Sequence, residues 1–235
     1  MGKIANTIVA CAALLMSASV AKAQEKVELT LSADFVSQYV WRGQELGQVS
    51  VQPTLGVAYK GLSFSAWGTL GLSRWSDPKE VDLTLAYTIA GFNVGITDYW
   101  NDSNAKYFDY KSGSTSHVFE ANVGYDFGFL SLQWYTNFAG NDGLNKSGKR
   151  AYSSYFEASV PFRIVGVDFA GTVGVVPYAT DFYNDANGFA VTNVSLKAMK
   201  AIPFTKKFSL PLFAGLHANP STQKLFFVVG LTLGI

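Results

Sequence analysis

Leu225, Phe227, Val229, Leu231, Leu233 and Ile235 occupy alternate positions at the end of the chain. A period of two places all six side chains on one face of a β-strand. Eleven earlier segments alternate in the same way, no helical period intervenes, and the connections between them run short, then long. An ordinary sheet has about five to six strands. Twelve alternating strands in so short a chain fit an all-β, antiparallel, up-and-down barrel closed on itself, with its apolar face turned to lipid.

The N-terminus supports that setting. Lys3, the apolar and small-residue run Ile4–Val20 and the Ala21-Lys22-Ala23 motif read as a signal peptide over residues 1–23, cleaved before Gln24. Residues 24–235, about 212 in number, then form a single barrel domain with no room for another. Cys11 is the only cysteine. The mature chain therefore lacks disulfides, thiol chemistry and cysteine–zinc sites. Without Lys3 and Lys22 the 18 basic residues fall to 16 against 17 acidic ones, a net charge of −1. No basic block marks a nucleic-acid partner. High aromatic content (15%) with low charge (15%) suits a wall in hydrocarbon. The expected location is the outer membrane of a Gram-negative bacterium, among outer-membrane lipid and lipopolysaccharide. The sequence leaves the oligomeric state open.

The strands are predicted as follows. The first runs from Val27 to about Arg42, with Leu29, Leu31, Ala33, Phe35, Tyr39 and Trp41 outward and Glu28, Thr30, Ser32, Asp34, Gln38 and Arg42 inward. The second covers Val49–Tyr59, where Pro53 removes a ladder donor and points to a bulge. Further strands follow in register, down to Leu225–Ile235. The tenth, Phe189–Ile202, is irregular, because Val191 and Met199 share the polar face with Asn193 and Lys197. Turns near Lys60-Gly61, Ala90-Gly91, Phe127-Gly128, Ile164 and Pro203-Phe204 are short, and segments 43–48, 75–80, 101–116, 139–151, 177–188 and 217–224 form the other end. Short periplasmic turns and long outer loops are the bacterial pattern, and an even strand count puts both termini in the periplasm. Tyr39, Trp41, Tyr59, Trp75, Tyr87, Trp100, Tyr125 and Tyr152 sit near strand ends, where aromatic girdles form.

The stretch Ser32-Ala33-Asp34-Phe35-Val36-Ser37-Gln38-Tyr39-Val40-Trp41-Arg42-Gly43 resembles the opening of the TorF-type porin family, as do Gln52-Pro53, Gly61-Leu62-Ser63, Ala66-Trp67-Gly68 and Glu80-Val81-Asp82-Leu83 with Tyr87. The likeness covers roughly residues 27–100. It implies an outer-membrane barrel of unassigned substrate. Ile235 departs from the phenylalanine that commonly ends such barrels.

The inward phase assigns Glu28, Asp34, Asp82, Glu120, Glu157 and Asp168, with Arg42 and Lys197, to the lumen. Six acids against two bases predict a mild cation preference in a water-filled pore. Arg42 either meets a passing anion at the rim or pairs with a wall carboxylate such as Asp34 or Asp82. His117 and Ser154, both outward by phase, admit a remote reading as an outer-membrane acyl hydrolase, yet no third residue orients them. His117 reads better as an interfacial aromatic, and no catalysis is expected. Tyr107-Phe108-Asp109-Tyr110 and Asp181-Phe182-Tyr183-Asn184-Asp185 read as interfacial loop residues, with sugar binding the less favoured reading. Asp185-Ala186-Asn187-Gly188 lacks the terminal glutamate of a calcium loop. No cofactor or metal is expected. Two functions remain: passive diffusion of small solutes or ions through a narrow pore, or a barrel with a closed lumen that works through its loops. Twelve strands lie between barrels filled by side chains and those that hold an aqueous channel. Inward Trp67, Tyr135 and Tyr155 have the bulk to block the lumen, as the second would need, but the pore is the favoured of the two.

Overall fold

A computed structural model describes residues 26–73, 77, 79–102, 106–183, 186–205 and 208–234. The segment expected to be a signal peptide (1–23), Trp75, Asn184, Asp185 and Ile235 lie outside the described residues. The chain forms β1 (Glu28–Val36), β2 (Tyr39–Trp41), β3 (Gln44–Gly47), β4 (Ser50–Tyr59), β5 (Leu62–Gly71), β6 (Glu80–Ile89), β7 (Phe92–Asn101), β8 (His117–Asp126), β9 (Ser131–Gly140), β10 (Ser154–Ile164), β11 (Val167–Val176), β12 (Ala190–Pro203), β13 (Ser209–Asn219) and β14 (Lys224–Gly234). β1 and β4 to β14 make one closed barrel in which each strand pairs antiparallel with its neighbours, and β2 and β3 form a separate two-stranded sheet. The ring closes where Ser32 faces Gly234 and Val36 faces Gly230.

The expected alternation is present, and its sense is that of an inverted protein. On β14, Leu225 is 70% and Phe227 62% exposed, against 8% for Phe226 and 5% for Thr232. On β1, Leu29 is 77% exposed while Ser32 and Asp34 are buried at 4% and 3%. Apolar side chains cover the outside and polar ones fill the inside. Three short connections are two-residue turns with both residues at positive φ: Lys60-Gly61 (49° and 86°), Ala90-Gly91 (50° and 85°) and Val165-Gly166 (48° and 75°). That conformation carries the right-handed twist of the flanking strands through the turn.

Three details differ from the sequence reading. The first predicted strand stops at Val36, not Arg42: after a last wall bond from the Ser37 amide to the Val229 carbonyl (2.8 Å), residues 38–48 leave the wall as the β2–β3 hairpin. Tyr39 and Trp41 therefore belong to the interior and not to a girdle. Period-2 alternation marks a strand with two unlike faces, and it does not say whether that strand is wall or filling. Pro53 causes no bulge. Pairing of β4 with β5 lapses between Val51–Leu70 and Thr54–Trp67 and resumes in the same register. The irregular tenth segment does contain a bulge, where Val191 faces Val175 and Asn193 faces Gly174. The extra residue, Thr192, shifts the phase by one, so Val191 joins outward Val175 on the apolar face.

Candidate functional site

The β2–β3 hairpin turns at Arg42-Gly43, with φ of 49° and 80°. Left-handed backbone at an arginine is uncommon. Here the barrel interior holds the tip from several sides. Gly43 packs so closely on the backbone of Thr192 that a Cβ there would collide with its carbonyl, and the Asn219 side-chain amide donates to the Gly43 carbonyl at 3.0 Å. The hairpin that leaves β1 thus reaches across to β12 and β13. Behind the tip, the Tyr39 hydroxyl donates to Glu80 (3.2 Å), its ring lies 5.5 Å from that of Trp67, and the Gln48 amide donates to Asp77 (3.1 Å).

Arg42 is the centre of this arrangement. Its Nη1 donates to Glu120 Oε2 at 2.5 Å and its Nη2 to Glu120 Oε1 at 2.9 Å, the two-pronged geometry that a guanidinium favours. Nη1 also donates to the Tyr183 hydroxyl (2.5 Å), and the Tyr99 hydroxyl donates to Glu120 Oε1 (2.8 Å). The guanidinium carbon lies 4.0 Å from the Tyr135 ring centre, 4.3 Å from Trp41 and 4.8 Å from Tyr155. Side-chain exposure is 7% for Arg42 and 1% for Glu120. Burial is the strongest influence and disfavours the guanidinium charge, but Glu120, Tyr183 and Tyr99 together raise the Arg42 pKa well above its usual value. Burial pushes the Tyr183 hydroxyl upward against the opposing charge of Arg42. Trp41 stacks on Tyr183 at 5.8 Å. Tyr155, Val176, Tyr183 and Ala186, with Trp41, Tyr135 and Phe182 around them, form a small apolar core at the long-loop end of the barrel. The inside-out barrel has this core where an open pore would have water.

The other predicted lumen residues spread along the wall. Asp34 accepts from the Thr232 hydroxyl (2.6 Å) and is buried. Glu157 accepts from the Tyr155 hydroxyl (2.9 Å). Asp82 is buried beside Glu80, and its Oδ1 has no hydrogen-bond partner. Lys197 Nζ lies 4.5 Å from the Phe213 ring centre. Glu28 and Asp168 sit at the short-turn rim, Glu28 exposed and Asp168 paired with Arg163 at 3.4 Å. Arg42 pairs with neither of the carboxylates expected for it, Asp34 and Asp82. It pairs with Glu120, because the hairpin carries it away from the wall of β1 and across the lumen. Glu80 and Tyr99 hold inward positions of β6 and β7, where they meet Tyr39 and Glu120. Tyr183, expected from its loop to be an interfacial residue, is instead fully buried against Arg42 and Tyr155.

His117 lies on the outer face, as its phase predicts, yet it is fully buried. Its Nδ1 is 2.7 Å from Asp98 Oδ1, its Nε2 2.6 Å from the Tyr107 carbonyl, and Tyr110 stacks on it at 4.2 Å. The Ser154 oxygen is bonded to Thr136 (2.9 Å), Tyr178 (2.5 Å) and the Tyr152 carbonyl (2.9 Å). The two residues share no hydrogen bond, and both ring nitrogens of His117 are engaged.

No protein-family model matches the chain, and no curated protein matches it in sequence. Among solved structures, CdiB from Acinetobacter baumannii aligns with a TM-score of 0.39 and 10% sequence identity, over 90% of this chain and 60% of that one. This chain thus spans less than two thirds of the length of that structure.

Proposed function

We propose that this chain is an outer-membrane, porin-like barrel that passes small solutes by passive diffusion, with its termini in the periplasm and a mild preference for cations. The observation that carries the reading is the exposure pattern: apolar side chains outside and polar ones inside, on strands that close into one barrel. Such a wall pairs its strands around a ring and presents hydrocarbon outward, which is what a spanning β-structure requires. The likeness of residues 27–100 to TorF-type porins agrees with it. No step of this activity needs a cofactor, and no catalytic role is assigned.

A second reading, a barrel with a closed lumen acting through its loops, draws support from the hairpin with its Arg42 cluster. Conductance of the refolded mature chain in a planar bilayer separates the two. Discrete steps support the channel. A silent bilayer, with the folded barrel shown by its heat-dependent gel mobility, supports the closed form.

Cation preference follows from the acids that Arg42 does not neutralise, namely Asp34, Asp82 and Glu157. Replacing them together as Asp34→Asn, Asp82→Asn and Glu157→Gln is expected to move the reversal potential in a salt gradient toward zero. Glu120 is left intact because it holds Arg42. An unchanged potential would rule out these side chains as the source of selectivity.

A further inference from the structure

Residues 38–42 alternate as a continuation of β1, yet they lie inside the barrel, and the strand beside which they would stand in the wall ends with a free edge. β14 pairs with β13 as far as Lys224, which faces Asn219. On its other side β14 pairs with β1 only from Gly234 to Gly230. Two contacts follow: the Ser37 amide donates to the Val229 carbonyl (2.8 Å), and the Val229 amide donates to the Ser37 hydroxyl (2.9 Å). Val229 turns both backbone groups toward β1, so by alternation Phe227 and Leu225 turn theirs the same way. Among the described residues no strand pairs with them there. Their side chains are correspondingly open, Phe227 at 62% and Leu225 at 70%, against 43% for Val229 and for Leu233, which have β1 beside them. The register that closes the ring extends into this edge without adjustment. Val36 faces Gly230, so the same count sets Tyr39 opposite Phe227 and Trp41 opposite Leu225. All four belong to the outward phase, and the two aromatic rings would then join the apolar face at the long-loop rim. The hairpin keeps its own ladder in either position, Tyr39 on Gly47 and Trp41 on Gln44.

We infer that the β2–β3 hairpin is a gate with two seats. In the inner seat it plugs the lumen. In the outer seat it is zipped onto the free edge of β14, with Tyr39 opposite Phe227 and Trp41 opposite Leu225, and the lumen is open. Side chains hold the inner seat: Arg42 on Glu120 and Tyr183, and Tyr39 on Glu80, with the Gly43 carbonyl bonded to Asn219. Swinging out separates a buried ion pair, which weights the balance toward the plugged form. The outer seat gains backbone hydrogen bonds at Phe227 and Leu225, and in a bilayer unpaired amides are costly. The two seats thus draw on different groups, and a change at Arg42 shifts the population between them. That zipping opens a conducting path rests on the channel reading, whereas the second seat rests on register alone.

The test is disulfide trapping in the refolded full-length mature barrel, whose sequence from Gln24 onward contains no cysteine of its own. Trp41→Cys is combined with Leu225→Cys, or Tyr39→Cys with Phe227→Cys should the first pair fail to fold. Facing residues of an antiparallel pair lie within the reach of a disulfide. The folded barrel in phospholipid vesicles is oxidised with copper–phenanthroline, and the joined peptides are followed by mass spectrometry. Complete cross-linking of the in-register pair is expected. The pair Trp41→Cys with Phe227→Cys, two residues out of register on the same face, is expected to react at least tenfold more slowly. Adding Arg42→Ala to the in-register pair is expected to speed its reaction at least tenfold. In a planar bilayer the cross-linked barrel should stay open without closures, and reductant should restore them. No cross-link in the folded barrel, equal rates in and out of register, a rate indifferent to Arg42→Ala, or a cross-linked barrel that conducts like its reduced form overturns the inference. A barrel that cross-links at the expected rates and is silent both oxidised and reduced overturns the channel reading, while the second seat stands on the cross-link itself.

Discussion

Arg42→Ala barrels are expected to conduct several-fold more current per channel than the parent, with frequent switching between levels. The substitution removes both prongs to Glu120, the bond to Tyr183 and the cation that three aromatic rings surround. Breaking one half of a buried ion pair costs about 3–5 kcal/mol, because the remaining charge stays buried without a partner. Here the loss falls on the seating of the hairpin, since the wall ladders include no Arg42 contact. The folded barrel should therefore keep its heat-dependent gel mobility while its lumen opens. Glu120→Gln should have a similar effect, and the double variant should add little to either single one, as expected for groups acting as a unit. Parent-like conductance in Arg42→Ala would show that the hairpin is not the constriction.

The second large effect concerns the outer wall. Ile96 stands in the middle of β7, 50% exposed, beside inward Thr97. In a bilayer, lysine at a lipid-facing midplane site costs about 2–4 kcal/mol, whereas a lumen site is far more tolerant. Ile96→Lys should lower the stability of the vesicle-refolded barrel by that amount in a reversible urea titration, and Thr97→Lys by much less. In water, a charge in place of an exposed isoleucine would be harmless or helpful. Equal, small effects at both positions would therefore count directly against a lipid-facing wall.

The comparison of sequence with structure follows the physics of alternation. Leu225 to Leu233 could be assigned correctly because one face of β14 meets a single kind of environment along its whole length. Residues 37–42 continue the same alternation, but Tyr39 and Trp41 pack on Trp67, Tyr99 and Tyr183 inside the barrel. Aromatic side chains with polar edges suit a membrane interface and a packed lumen equally well, so their pattern cannot choose. Val191 looked out of place because a bulge adds a residue without altering composition. The partner of Arg42 was beyond reach for another reason. Which carboxylate receives it depends on how far the hairpin projects, a three-dimensional quantity that neighbouring residues do not encode. Asp98 beside His117 illustrates the same limit, for the two meet on the outward face where Tyr107 and Tyr110 of the long loop pack on His117.

The hairpin tip also sets an order of events in assembly. Its contacts span long stretches of chain: 78 residues to Glu120, 141 to Tyr183 and 176 to Asn219. Such distant partners carry a large loop-closure cost before they contribute anything. The segment made among the first is thus secured among the last, after β13 has joined the wall. β1 is in the same position, since Asp34 waits for Thr232, 198 residues later. Until then the growing barrel has an unfilled interior and one unpaired flank, so seating of the hairpin and closure of the ring become late, linked steps of folding.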